Sequence, residues 1–326
     1  MDNSEVFLHL CEQVISCKSG VDIESMLVQI RDINEVDDEG HSPLVYAILH
    51  NPHLSVLRTL LKAGSDVTID SVCQAIINNS NPEVARELYH CVSHVTQADK
   101  NLFFLLSAAA QSDDTLIRFF HSEGAESNTT MPMDLYLADR DDADDVDVDE
   151  MWLRDEQSVD QNAIVVAIYE NPDPVSMVAV LLELGVDPNA VDDEGYPVII
   201  HAMDNAELVQ VLLDGGVDPQ STDCHGMTPL MHACAADNNE VALLLLKYTK
   251  DIQAKSVTGE TALHYALGCH LDDNTEVVQA LIQSGCNVNE PDGDGLLPLD
   301  IARFNYCSEE IISLLTKAGA HMGEVS

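Results

Sequence analysis

A chain of 326 residues with 46% hydrophobic but only 5% aromatic side chains can build a core from small aliphatics. Its 14 basic residues against 57 acidic ones leave a net charge of −43, a field that repels nucleic acid and anionic membrane and steers cationic partners inward. The longest apolar run, Leu102–Ala110 broken by Ser107, is too short for a bilayer, the start MDNSE is acidic where a secretory signal is basic, and nine unevenly spaced cysteines read as buried thiols, so a cytoplasmic location is expected.

In chain order, Glu5–Cys17 and Asp22–Arg31 carry apolar residues at helical spacing, with Lys18-Ser19-Gly20 as the turn and Gly20 suited to a left-handed helix end. This pair reads as an atypical cap. Asn34–Gly40 then forms a polar finger, followed by GHSPLVYA, in which Ser42 is placed to cap a helix and Pro43 to open it. Leu44 and Ala47 point inward, and Leu54–Ala63 is a second helix ended by Gly64. The next two units have drifted: Ala75 and Ala108 keep the alanine slot, the second unit opens on Phe103 and Phe104, and Pro82–Tyr89 and Leu116–Phe120 supply the second helices.

From Ala108 to the next slot, Ala167, is 59 residues, one unit plus a surplus at Ser127–Asp160. Within it, Asp139–Glu150 has eight acids in twelve positions, too dense a like charge to compact, so a surface loop is expected. The sole tryptophan, Trp152, follows at once in an apolar trio that can dock on the array or on a partner. Thereafter Ala167, Ala202, Ala233, Ala266 and Ala302 recur every 31–36 residues, each followed by an aliphatic second helix. Gly185, Gly216, Gly285 and Gly319 end four of these helices, and Tyr248-Thr249 ends the fifth.

The phrases GETALHYA (259–266) and GMTPLMHA (226–233) lie 33 residues apart, and GHSPLVYA, GYPVIIHA (195–202) and GLLPLDIA (295–302) share their frame. This period and wording resemble the T-P-L-H-x-A signature of ankyrin repeats. The resemblance implies an all-α ankyrin-repeat solenoid of about nine helix-turn-helix units with β-turn fingers and an acidic loop insertion. Its expected organisation is a capping pair at 1–35, repeats at 36–126 with two degenerate, the insertion at 127–160, and five repeats at 161–326. It further implies a curved stack whose fingers and first helices line a concave face, and a protein-binding scaffold that is not an enzyme and needs no cofactor. His264 is implied to bridge neighbouring turns with Thr261 assisting, while His201 and His232, one slot later, fall toward the exposed helix face.

Candidate partner-binding residues are the finger acids Asp37, Asp38, Glu39, Asp192, Asp193, Glu194 and Asp223. To these are added the loop acids Asp139, Asp141, Asp142, Asp144, Asp145, Asp147, Asp149 and Glu150, with Trp152. The expected partner is a protein with a basic surface, bound by a monomer that acts as an antagonist or immunity-type inhibitor, as an effector engaging host proteins, or as an adaptor, with no nucleic acid, membrane or metal involved. The alternatives are a DNA-mimic inhibitor of a nucleic-acid enzyme, or a generic adaptor whose acidity reflects its organism. Cys224, His225, His232 and Cys234 have zinc-ligand chemistry but no CxxC pair, and the repeat frame divides them between finger and helix. Asp145 to Glu156 has the acid spacing of a calcium loop, but Glu150 stands where the turn needs glycine. Arg58, Arg86 and Arg118 share one slot in successive second helices, where they relieve acidic neighbours or meet the acidic loop.

Overall fold

The computed structural model describes residues 3–110, 113–132, 160–192, 194–268 and 274–323. Among these residues lie eighteen helices and one two-stranded sheet. The chain divides into two compact units, Met1–Val186 and Asp187–Ser326, so the expected boundaries at 126 and 160 both fall inside the first unit.

The first unit holds five helix pairs: α1 (Asn3–Ser16) with α2 (Val21–Leu27), α3 (Pro43–His50) with α4 (Leu54–Lys62), α5 (Ile69–Asn78) with α6 (Pro82–Cys91), α7 (Gln97–Ala110) with α8 (Thr115–Ser122), and α9 (Ala163–Glu170) with α10 (Pro174–Glu183). First helices pack on first helices from α1 through α9, and second on second from α2 through α8. The second unit repeats the scheme with α11 (Val198–His201) and α12 (Ala206–Asp214), α13 (Pro229–Ala235) and α14 (Asn239–Leu246), α15 (Ala262–Gly268) and α16 (Thr275–Gln283), and α17 (Pro298–Phe304) and α18 (Glu309–Lys317). Each unit is thus an all-α repeat stack.

The repeated phrase explains why. All eight alanine slots are at most 2% exposed, because only a methyl group lets neighbouring first helices approach. Ser42 caps α3 by accepting from the Val45 amide at 3.4 Å, and Pro43 opens the helix where a missing N–H costs nothing. Where α14 lacks a glycine, Thr249 turns the chain instead, its hydroxyl donating to the Leu245 carbonyl at 2.9 Å.

Three local expectations are corrected. Gly20 is right-handed, with φ −60° and ψ −22°, and its lack of a side chain serves close approach: a Cβ there would run into Thr59 and the Ser55 carbonyl of α4. Helix α7 starts at Gln97, six residues before Phe103, because Thr96 and Asp99 cap it reciprocally at 2.7 and 3.2 Å. Packing in this degenerate pair is aromatic rather than aliphatic, with Phe103, Phe104 and Phe120 fully buried and Tyr89 edge-on to Phe103, Phe119 and Phe120. Finally, Thr130–Pro132 pairs antiparallel with Asp160–Asn162, so a β-ladder closes the base of the insertion. Asn162, at its exit, caps α9 by accepting from the amides of Ile164 and Val165.

Candidate functional site

The fingers are tight hairpins, each organised by one residue. Asp37, Asp192, Asp223 and Asp292 each donate their own amide to the carbonyl four residues on, at 3.0–3.1 Å. The carboxylate then folds inward. Its Oδ1 accepts from the amides of Glu39 and His41 for Asp37, of Tyr196 for Asp192, of His225 and Met227 for Asp223, and of Asp294 and Leu296 for Asp292. In Asp37, Asp192 and Asp223 the second oxygen reaches a side chain on the following first helix, nine residues ahead. Tyr46 donates to Asp37 at 2.5 Å, and the His201 and His232 Nε2 atoms meet Asp192 and Asp223 at 3.0 and 2.9 Å.

These latches change the role of three predicted site residues. Asp37, Asp192 and Asp223 are internal anchors, and the Asp223 side chain is wholly enclosed. Burial alone would raise the pKa of Asp223, but the Met227 amide, His232 and the His225 amide outweigh it and hold it below the usual 3.8. Asp37 behaves likewise, its burial overcome by Tyr46 and the amides of His41 and Glu39. His201 and His232 are therefore not free helix-face residues, and burial holds His201 below the ordinary 6.5 despite Asp192 beside it. What the fingers offer to solvent are Asp38, Glu39 and Glu194, joined by Asp218, Asp251 and Asp294. Asp193, Asp139, Asp141, Asp142, Asp144, Asp145, Asp147, Asp149, Glu150 and Trp152 lie outside the described residues, as does Glu156.

A second device fixes the fingers and was not read from the sequence. Asn34 donates to the Gly64 carbonyl and accepts from the Asp66 amide, 30 and 32 residues on. Asn189 does the same with Gly216 and Asp218, Gln253 with Gly285 and Asn287, and Asn289 with Gly319 and His321. Each finger therefore clips the glycine turn that closes its own helix pair. At the other end of the first helices, buried Asn51 donates to the carbonyls of Val14 and Cys17, Asn79 to those of Ile48 and Asn51, and Asn171 to that of Ala108. The available signal was the Ala-x-x-x-Asn spacing at 47–51, 75–79 and 167–171.

The arginine slot is spent on neighbours. Arg58 grips Glu87 with two bonds of 2.9 and 2.8 Å, the Arg86 guanidinium lies 4.8 Å over the Phe119 ring, and Arg118 reaches Glu183 at 2.7 Å. Each spans from one second helix to the next. Their relation to the acidic loop lies outside the described residues. His264, 2% exposed, accepts from the Thr261 amide at 3.0 Å through Nδ1, which places the imidazole proton on Nε2. Burial lowers its pKa, with Asp292 and the Glu290 backbone of the next finger opposing. Among the described residues, the one gathering of three metal-capable groups within 4.8 Å is Asp37, Glu39 and His41, and Cys224, His225, His232 and Cys234 do not gather. No described helix is long and apolar enough to cross a membrane.

Comparison with known proteins matches this architecture. A family model of three ankyrin repeats fits residues 163–256 and 249–325, and a single-repeat model fits 39–72. An ankyrin repeat protein of Rickettsia felis is 34% identical over 89 residues, 27% of this chain. The match spans only 23% of that protein's length. The crystal structure of an ankyrin repeat domain from Acinetobacter baumannii aligns with a TM-score of 0.53 at 25% identity, covering 67% of this chain and 98% of that one.

Proposed function

Since the chain belongs to the ankyrin-repeat family, whose fold generally serves protein–protein interaction rather than catalysis, we propose that it binds, and by occupying it inhibits, a protein with a basic surface. The observation that carries this reading is the division of labour within the fingers. In three fingers one aspartate, Asp37, Asp192 or Asp223, is turned inward to rigidify the hairpin, and Asp38, Glu39 and Glu194 stay exposed beside them. Charges on a fixed scaffold give a partner register, and the net charge of −43 speeds its approach. The acidic insertion, Trp152 included, adds steering in this reading. The eight described cysteines are free thiols, which accords with a reducing cytoplasm, and the negative field favours a monomer by opposing self-association. DNA mimicry is less well supported, because the periodic aspartates that would imitate phosphates are the ones turned inward.

The test is binding of a basic probe, such as lysozyme or an oligo-arginine peptide, at about 50 mM and about 300 mM salt, spanning the range over which surface charge is screened. Affinity should fall by more than tenfold across that interval, and the Asp38→Asn, Glu39→Gln and Glu194→Gln variants should weaken binding at the lower salt. Affinity indifferent to ionic strength would sink the proposal.

A further inference from the structure

We propose that Phe304 and Tyr306 form a two-ring anchor that takes an arginine or lysine side chain of the partner, an inference that rests on the partner being basic. At the end of α17 the chain alternates in direction. Asn305 turns inward, its side chain donating to the Leu267 carbonyl of the preceding pair at 3.0 Å, and Cys307 turns inward to the same carbonyl, its Sγ at 3.6 Å. The two residues beside them turn outward. Phe304 is 82% exposed and Tyr306 92%, the largest exposures of any aromatic side chain among the described residues.

Nothing in folding asks for these rings. Tyr306 has φ +58°, a left-handed conformation that a bulky side chain adopts only under strain. The other non-glycine residue with positive φ among the described residues is Asp237, of a type that tolerates it, four residues beyond its alanine slot just as Tyr306 is beyond Ala302. Glycine would serve at 306 without strain and would expose no apolar ring to water. A strained, fully solvated aromatic that two inward neighbours hold in place is a side chain kept for contact.

Charge selects the occupant. The turn leads directly into Glu309 and Glu310, both exposed in the first turn of α18, against one exposed cation, Arg303. A second copy of a chain at −43 is repelled, and so is an anionic membrane. A cation held over the ring faces, with its charge answered by the two glutamates, satisfies both features at once.

The experiment titrates a fluorescent oligo-arginine peptide against the full chain at about 150 mM salt, where distant charges are largely screened. Phe304→Ser and Tyr306→Gly should each weaken binding about two- to fivefold, and together about tenfold. Tyr306→Phe should leave binding unchanged. Tyr306→Gly should melt no earlier than wild type, since glycine accepts the backbone conformation, which separates lost contact from lost fold. Unchanged affinity in the double variant, with weakening by Glu194→Gln and Asp218→Asn, overturns the anchor and leaves the basic-partner reading standing. Failure of the wild type to bind at all overturns both. A wild-type dimer that Phe304→Ser dissociates gives the rings to a second copy and likewise overturns the proposal.

Discussion

Asp223 and His232, nine residues apart, meet at 2.9 Å with the aspartate side chain wholly enclosed. One carboxylate thereby fixes both the hairpin of a finger, through the amides of His225 and Met227 at 2.8 Å each, and the angle at which that finger leaves its helix. Asp223→Ala should cost about 2–4 kcal/mol, because two finger amides and an imidazole lose their acceptor together. Asp223→Asn keeps an oxygen for the amides and should cost about half as much. Chemical denaturation of the three proteins checks the order, and an alanine variant as stable as wild type would remove the latch from the account.

Acid should unfold the protein in two stages. His201 and His264 are held below 6.5 by burial, so the unfolded chain binds protons that the folded one refuses. Their contribution is complete above pH 6.5 and declines as pH falls through their folded values, by at most about 1.4 kcal/mol per pH unit for each. Asp37 and Asp223 are held below 3.8 by their hydrogen bonds, so their contribution is complete above 3.8 and is lost on further acidification. Thermal midpoints measured from pH 8 to pH 3 should decline in both windows. The His201 and His264 imidazole resonances should titrate at lower pH in the folded protein than in the unfolded chain, and titration at the same or higher pH would contradict the burial assigned to them.

Asn79 donates to the carbonyls of Ile48 and Asn51 at 2.6 and 3.2 Å from a site 4% exposed. Asn79→Ala strands those acceptors away from water and should cost about 2–3 kcal/mol. Asn79→Asp should be worse, since it faces a carboxylate toward carbonyl oxygens in a site that desolvates charge. Equal stability of the two variants by urea titration would show that water replaces the amide freely.

Two glycines should fail for different reasons. Gly20→Ala drives a methyl group into Thr59 and the Ser55 carbonyl and should cost about 1–3 kcal/mol, partly recovered by adding Thr59→Ala. Gly64 has φ +95° and open space around it, so Gly64→Ala should cost about 1–2 kcal/mol, and Gly64→Asn should recover part of that. A Gly20→Ala loss that Thr59→Ala does not touch would place the strain elsewhere.

The repeat period made the helices legible, because Ala47, Ala75, Ala108, Ala167, Ala202, Ala233, Ala266 and Ala302 mark a packing distance that one methyl group dictates. Proline and serine at positions 42–43 announced a helix start for the same local reason. The site was less legible. Asp37, Asp192 and Asp223 look from composition like free surface charge, and nothing within a finger shows that the ninth residue ahead will reach back for them. Asn34 and Asn51 bind partners 30 to 37 residues away, so their roles appear only once the pairs stack. Gly20 shows the opposite failure: the residue was singled out, but for a backbone angle when a neighbour's proximity was the cause.

The finger clips have a direction. Asn34 precedes the turn it holds at Gly64 by 30 residues, and Asn289 precedes Gly319 by the same interval. During synthesis, therefore, the socket is always made before the piece that fills it, and a helix pair emerging from the ribosome completes a joint already waiting upstream. Stalled or truncated chains would end in an open socket rather than a loose plug.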